Sequence, residues 1–298
     1  MTRRGWLLFA VMGVIWGLPY LFIKVAVAHL APAVIVFGRT SLAAVVLLAL
    51  AGRSGAIVPA VRHWKPVLAF AAIEMAGPWL LLTNAEKRLP SGLTGMLVSC
   101  VPIFGALSAY ALGDRSALRF VRVVGIAVGL GGVALLVHGD FGSGPIPWWS
   151  VVQVLLVCVG YATAPFIVAR RLGDVPTIGV VAVAVAAVAL VVAPLAWFAR
   201  PGEMPPATTL WAMLGLAFVC TGIAFVVFFA LISEVGPARA TLITFVNPAV
   251  AVVLGAVALD ESITAATIAG FVLVLGGCWL ATRAGAVPVA DVATTAAP

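Results

Sequence analysis

The chain has 298 residues, 64% hydrophobic and only 9% charged, with a formal net charge of +7. A soluble domain carries roughly a quarter charged residues, so this composition excludes a large globular core and indicates a multi-span membrane protein. In a soluble protein the positive balance would suggest nucleic acid; here it reads as basic loops on an anionic cytoplasmic leaflet, with no nucleic-acid partner.

About 20 apolar residues are needed per membrane helix. On that rule ten spans are predicted, at 6–29, 33–51, 67–85, 91–112, 120–138, 149–169, 176–198, 209–232, 237–258 and 264–282. The first follows Thr2-Arg3-Arg4 and ends near Ala26-Val27-Ala28, which mimics a signal-peptide cleavage site. Its apolar run is too long for a signal sequence and Lys24 stands just before the site, so this span is expected to be retained. Basic residues in alternate loops set the orientation. Arg3, Arg4, Arg53, Arg62, Lys65, Arg115, Arg119, Arg122, Arg170, Arg171, Arg239 and Arg283 fall on one side, and Lys24, Lys87, Arg88 and Arg200 on the other. Twelve against four places both termini in the cytoplasm.

Trp16 and Tyr20 of the first span share a depth with Trp79, Tyr161 and Phe225, beside Pro19, Pro78 and Pro165. Aromatics at one level either fill packing space or line a ligand path. Disturbed helices clustered at the midplane favour the path. Two charges lie well inside spans: Arg39 in the second and Glu74 in the third. At 1.5 Å per residue, Glu74 sits about 3 Å to the cytoplasmic side of the midplane and Arg39 about 5 Å to the outer side. An unpaired charge there costs several kcal/mol (about 2.5–3.5 on insertion scales). They read either as substrate recognition with a protonatable switch at Glu74, or as an ion pair joining two helices. Lys24 is expected to snorkel outward, and Glu86-Lys87-Arg88 and Asp260-Glu261 to form a solvated rim.

The fourth and ninth spans carry Pro102 and Pro248 at their centres. Proline removes a donor and frees the carbonyl four residues back, for Pro248 that of Thr244. Such a carbonyl is tolerable in hydrocarbon only where protein or trapped water satisfies it. Aligning Pro102 with Pro248 also aligns Asp114 with Asp260, so the chain reads as an internal duplication. Each copy has an odd number of spans, so the second must be inverted. The expected domains are a first repeat 1–138, a linker 139–148, a second repeat 149–283 and a disordered tail 284–298. The second repeat has no charge inside its spans; its midplane polar groups are Tyr161, Thr163, Thr221, Thr241, Thr244 and Asn247.

Cys100, Cys158, Cys220 and Cys278 lie in apolar runs without a C-x-x-C pair, so neither a disulfide framework nor a metal site is expected. Trp6, Trp64, Trp148, Trp149, Trp197, Trp211 and Trp279 fall near span ends, as an aromatic belt. No hydrolase, metalloprotease, dinucleotide or Walker motif occurs, so no cofactor is expected and an enzyme reading lacks its residues.

Several stretches carry a family resemblance. V-I-W-G-L-P-Y lies in the first span, and A-E-K-R-L-P-S-G leads to V-P-I-F-G. S-E-V-G-P-A-R-A leads to N-P-A-V-A-V-V-L-G-A-V-A-L-D-E, and Leu130-Gly131-Gly132 matches Leu275-Gly276-Gly277. Over residues 6–282 the chain resembles EamA-type carriers of the drug/metabolite transporter superfamily. The resemblance implies an alternating-access carrier, often an exporter of amino acids or related metabolites. It also implies a cavity lined by the first four helices of each repeat, with the fifth and tenth peripheral. Asp114-Arg115 stands where L-G-E is usual, Asp260-Glu261 lacks the preceding glycine, and a midplane Glu74 is not a family feature.

The expectation is therefore an all-α integral protein of the cytoplasmic membrane, moving a small-molecule substrate, as a monomer or homodimer. Its substrate-binding candidates are Trp16, Tyr20, Arg39, Glu74, Trp79, Pro102, Tyr161, Thr221, Phe225, Thr244, Asn247 and Pro248, with Glu74 the candidate for proton coupling. A membrane-embedded enzyme and a receptor or scaffold are the competing classes.

Overall fold

The computed structural model describes residues 1–111, 120–138, 147–236 and 240–283. Asp114, Arg115, Arg119, Arg239, residues 139–146 of the expected linker 139–148 and the tail 284–298 lie outside the described residues, and so does the alignment of Asp114 with Asp260.

The chain folds into α1 (Arg3–Val27), α2 (Pro32–Arg53), α3 (Trp64–Ala85), α4 (Ser91–Ala111), α5 (Phe120–His138), α6 (Trp148–Arg171), α7 (Thr177–Phe198) and α8 (Ala207–Val235). There follow α9, a 3₁₀ turn Thr241–Phe245 joined to Asn247–Leu259, and α10 (Ala265–Arg283). Nine helices among the described residues are long and apolar enough to cross a membrane, while the apolar part of α10, Ala265–Ala281, is shorter. Prolines punctuate the starts: Pro32 opens α2, and Pro90, Pro147, Pro176 and Pro206 stand just before α4, α6, α7 and α8. The first turn has no use for the missing N–H, so proline stops one element and starts the next. Thr2 caps α1 by accepting from Gly5 N at 2.9 Å.

Contacts at the helix ends fix their directions. Lys24, near the end of α1, donates to the carbonyls of Glu86 and Leu89, just past α3. His29 meets Thr209, at the start of α8, at 3.1 Å. At the opposite end, Thr2 donates to Glu234 and Arg4 pairs with it at 3.8 Å. So α3 runs parallel to α1 and α8 runs against it. These two helices are counterparts in the two copies, and their opposite course is the signature of an inverted repeat.

The breaks at Pro102 and Pro248 are present. In α4 the helix halts after Val98 and resumes at Val101. The exposed carbonyls are met by thiols: Cys158 of α6 donates to Leu97 O at 3.5 Å, and Cys278 of α10 to Ser99 O at 3.0 Å. In α9 the 3₁₀ turn ends at Phe245 and the α-helix starts at Asn247. With its amide oriented to suit its neighbours, Asn247 donates to Ile243 O (3.0 Å) and to Gly13 O of α1 (3.1 Å). A broken helix thus remains satisfied inside protein rather than facing lipid.

Two more disturbances occupy equivalent helices. A π-helical turn, Ala71–Ala76, interrupts α3, and a second, Gly215–Ile223, interrupts α8. Pro78 accounts for the first, because it cannot donate to Glu74 O and Gly77 N reaches back to Ala72 O. In the second the Thr221 hydroxyl donates to Leu216 O, five residues back, at 2.8 Å.

The pair α5–α10 packs backbone to backbone. A Cβ at Gly277 would lie 2.4 Å from Gly129 N, and one at Gly132 2.7 Å from Gly270 O. Without a hydrophobic drive between helices in lipid, such close approach supplies the association.

Candidate functional site

The π turn of α8, the part of α3 that follows its own π turn, and α2 converge on Arg39. Its Nε donates to Thr221 Oγ1 at 2.7 Å. Its guanidinium carbon stands 3.8 Å from the centre of the Trp79 ring. Because the Thr221 hydroxyl proton goes to Leu216 O, its lone pairs are left for Arg39. One side of the guanidinium is held by α8 and one face by α3, and the residue is 8% exposed. A cation held over an indole in a dry site gains about 2 kcal/mol or more.

Glu74 does not pair with Arg39. Among the described residues the ion pair within 4.0 Å is Arg4–Glu234, and Glu74 Oε2 is buried without a hydrogen-bond partner. The ion-pair reading of these two residues is therefore overturned: Thr221 and Trp79 take the place expected for the acid. Tyr161 of α6 lies near Glu74, Arg39 and Trp79. Tyr20, buried in α1, lies near Tyr161 and Arg39. Beyond Thr221 runs an aromatic wall: Phe225 stacks with Phe229 (6.1 Å), and Trp16 approaches Phe225 (6.4 Å) and Phe228 (4.7 Å).

The structure thus brings together Arg39, Trp79, Thr221, Tyr161, Glu74 and Tyr20, flanked by Trp16 and Phe225. The remaining candidates belong to the helix breaks. Asn247 holds α9 to α1, Pro248 is buried beside it, Thr244 lies in the 3₁₀ turn, and Pro102 is half-buried in α4. Phe228 and Phe229 were not singled out by the sequence; their i, i+3 and i+4 spacing from Phe225 was the available signal.

A second polar group lies at the Lys24 end, where the sequence suggested a solvated rim. Glu261 accepts from Ser91 N (2.6 Å) and Gly92 N (2.8 Å), tying the end of α9 to the start of α4. Asp260 takes a left-handed turn (φ 53°), which reverses the chain so that Glu261 points back. Lys24 does not snorkel: its ammonium donates to Glu86 O at 2.9 Å and Leu89 O at 2.7 Å. Glu86 is 0% exposed, and neither carboxyl oxygen has a partner. Burial pushes its carboxyl well above the usual range, with Lys24 opposing and Glu261 adding to the rise. The rim expectation therefore fails for Glu86, which is fully buried, and for Glu261, which is half-buried and bound to the start of α4, while Lys87, Arg88 and Asp260 are exposed. Lys24 bonds two carbonyls in place of the snorkelling expected of it.

Two pockets flank these elements, and neither reaches Arg39. One, of about 10 Å³, lies between Gly92, Val252, Glu261 and Thr267; the other, of about 340 Å³, is an apolar groove lined by Val14, Ala249, Val250, Val253 and Leu254. No group of three or more metal-ligating side chains gathers among the described residues.

A profile of the EamA-like transporter family matches residues 3–138 and 148–283. An uncharacterized inner membrane transporter, YedA of Escherichia coli K12, is 30% identical over 247 residues, spanning 81% of this chain and 78% of that protein. A probable amino-acid metabolite efflux pump of Salmonella typhimurium is 23% identical, covering 94% of this chain and 95% of its own. A probable terminal-alkyne amino-acid exporter of Streptantibioticus cattleyicolor is 26% identical, covering 91% and 90%. A crystal structure aligns with a TM-score of 0.66 at 22% identity over 95% of this chain and 98% of its own, which bears on fold alone.

Proposed function

The chain belongs to the EamA-like transporter family, a multi-pass transporter of the cytoplasmic membrane, and from that premise we propose that it exports a small zwitterionic metabolite of the amino-acid type by alternating access. In this reading ten helices cross the membrane as inverted repeats 1–138 and 149–283, with both termini cytoplasmic. Arg39 receives the substrate carboxylate, Glu74 the ammonium group, and the wall of Trp16, Tyr20, Tyr161 and Phe225 the apolar part.

One observation carries the reading. Arg39 is fixed through its Nε and its ring face, which leaves the guanidinium fork free of any acid partner among the described residues. A structural ion pair would have used Glu74; keeping acid and base apart suits a ligand that brings both charges. The bidentate geometry of guanidinium with carboxylate supplies the selectivity. Two relatives are described as a probable amino-acid metabolite efflux pump and a probable terminal-alkyne amino-acid exporter, which agrees with this choice. In the same reading Glu74 exchanges a proton with the transport cycle.

The test is competition in proteoliposomes. Counterflow of a labelled amino acid should be inhibited by other zwitterions and not by their methyl esters or decarboxylated amines. Equal inhibition by the esters would remove the carboxylate from the recognition.

A further inference from the structure

The polar group at the Lys24 end has no part in the Arg39 site, and it closes the molecule where α4 and α9 meet. These helices are in close contact there: a Cβ on Gly95 would lie 2.6 Å from Ala251 Cβ, and one on Gly255 would overlap Glu261 and Ser91. The contact joins the first repeat to the second, and Glu261 holds it by capping α4 with two backbone N–H groups. A carboxylate at a helix N-terminus satisfies donors that the helix itself cannot.

Glu86 is the anomaly in this assembly. Both its oxygens are buried without a donor, while the ammonium that could serve it is held by the carbonyls of Glu86 and Leu89. The charged groups facing it are Lys24 from α1 and Glu261 from the end of α9, with Tyr20 deeper in α1. Lys87 and Arg88 on its own turn are exposed, and the first segment of α4, Ser91–Val98, carries no titratable group. From α6 comes Gln153, which accepts from Asn84 at 3.2 Å. His29 is taken by Thr209. An ionised carboxylate without hydrogen-bond donors is far costlier to bury than a neutral acid.

We propose that the Lys24 end is a proton-dependent gate, in which Glu261 latches α9 to α4 and Glu86 takes up a proton each time the gate closes. On closing, one proton from the solution at that face adds to a Glu86 carboxylate oxygen as its water is stripped away. On opening, water returns and the proton leaves to the same solution. Lys24 then turns from the two carbonyls to the carboxylate. The upward shift of the buried Glu86 carboxyl agrees with this order. An acid raised in the closed state favours closure at low pH, and closure weakens as pH climbs from the open-state value of about 4.3 towards the closed-state one. Within that window the open-to-closed ratio rises about tenfold per pH unit.

The gate can be followed without any substrate, so its failure is separable from failure of the transport reading. Thr94, buried one turn into α4, is replaced by cysteine as reporter, and exposed Gly202 in another variant serves as reference. Purified protein in nanodiscs is treated with trimethylammonium-ethyl methanethiosulfonate between pH 5 and 9, with the Cys-unsubstituted protein, whose four thiols are buried, as background. Labelling of Thr94→Cys relative to Gly202→Cys should rise steeply with pH. Adding Glu86→Gln should hold it at the slow low-pH rate throughout, and adding Glu261→Gln should speed it at every pH. Glu86→Asp keeps an acid and should keep a pH response, which guards against a folding defect in the Gln variant. A Glu86→Gln profile that tracks the parent, or a parent with no rise, overturns the proposal.

Discussion

Arg39 of the first repeat and Thr221 of the second are joined by a 2.7 Å hydrogen bond from a guanidinium Nε to a hydroxyl that itself grips the π turn of α8. One threonine thereby sets both the shape of a helix and the aim of the buried cation. The remaining orientation comes from Trp79, on the counterpart helix of the other repeat.

Thr221→Val should leave Arg39 Nε without its acceptor and remove the bond to Leu216 O. Losing a buried hydrogen bond to a charged group costs about 1.5–3 kcal/mol. Thermal unfolding in detergent should show that loss, and Thr221→Ser should recover most of it. Equal stability of Val and Ser variants would mean the hydroxyl is idle.

The Glu74–Arg39 pair gives a double-mutant prediction. Because they do not pair, Arg39→Gln should not restore the stability of Glu74→Gln, and full rescue in the double variant would show that the two are an ion pair. Substrate flux driven by an imposed pH gradient should fail in Glu74→Gln, while substrate exchange continues with weakened apparent affinity because the ammonium loses its charged partner. Full gradient-driven flux would end the coupling role of Glu74.

How far the sequence reaches can be judged from these same residues. The breaks in α4 and α9 were legible because proline has a mechanical consequence wherever it falls. The π turn of α8 was not, because α8 has no proline to mark it; the Thr221 hydroxyl that bonds Leu216 O across the turn is a residue type with no such mechanical signature. The opposite course of α3 and α8 followed from counting spans. The misreading of Glu86 and Glu261 as rim has a physical origin: position along a span gives depth but says nothing of which helices cover it. Likewise the depths of Glu74 and Arg39 lay on opposite sides of the midplane but within side-chain reach, and only the packing of α8 against α2 decided which partner Arg39 would take.

Asn247→Leu should cut the tie from α9 to Gly13 O and Ile243 O, removing one donor from each carbonyl, while Val246 N still donates to Ile243 O. The cost should be about 0.5–1.5 kcal/mol per bond lost. It is read as a lowered unfolding temperature, and unchanged stability would show that the amide is not oriented towards α1.

Glu86 predicts a pH dependence of stability. Its carboxyl is raised by burial, so the fold gains relative to the unfolded chain at acid pH and loses that gain as pH climbs through the raised value. Glu86→Gln should flatten the dependence above about pH 4.3, the ordinary glutamate value, and raise the unfolding temperature at pH 8 relative to the parent. A Gln variant less stable than the parent at pH 8 would show that Glu86 is ionised and held by Lys24.

The central claim is that Arg39 receives the substrate carboxylate. Counterflow of a labelled amino acid should be measured in proteoliposomes holding equal amounts of folded parent, Arg39→Lys and Arg39→Gln. Arg39→Gln should lose counterflow, and Arg39→Lys, which keeps the charge but not the fork, should retain a fraction with weakened apparent affinity. Counterflow in Arg39→Gln equal to the parent's would contradict the account.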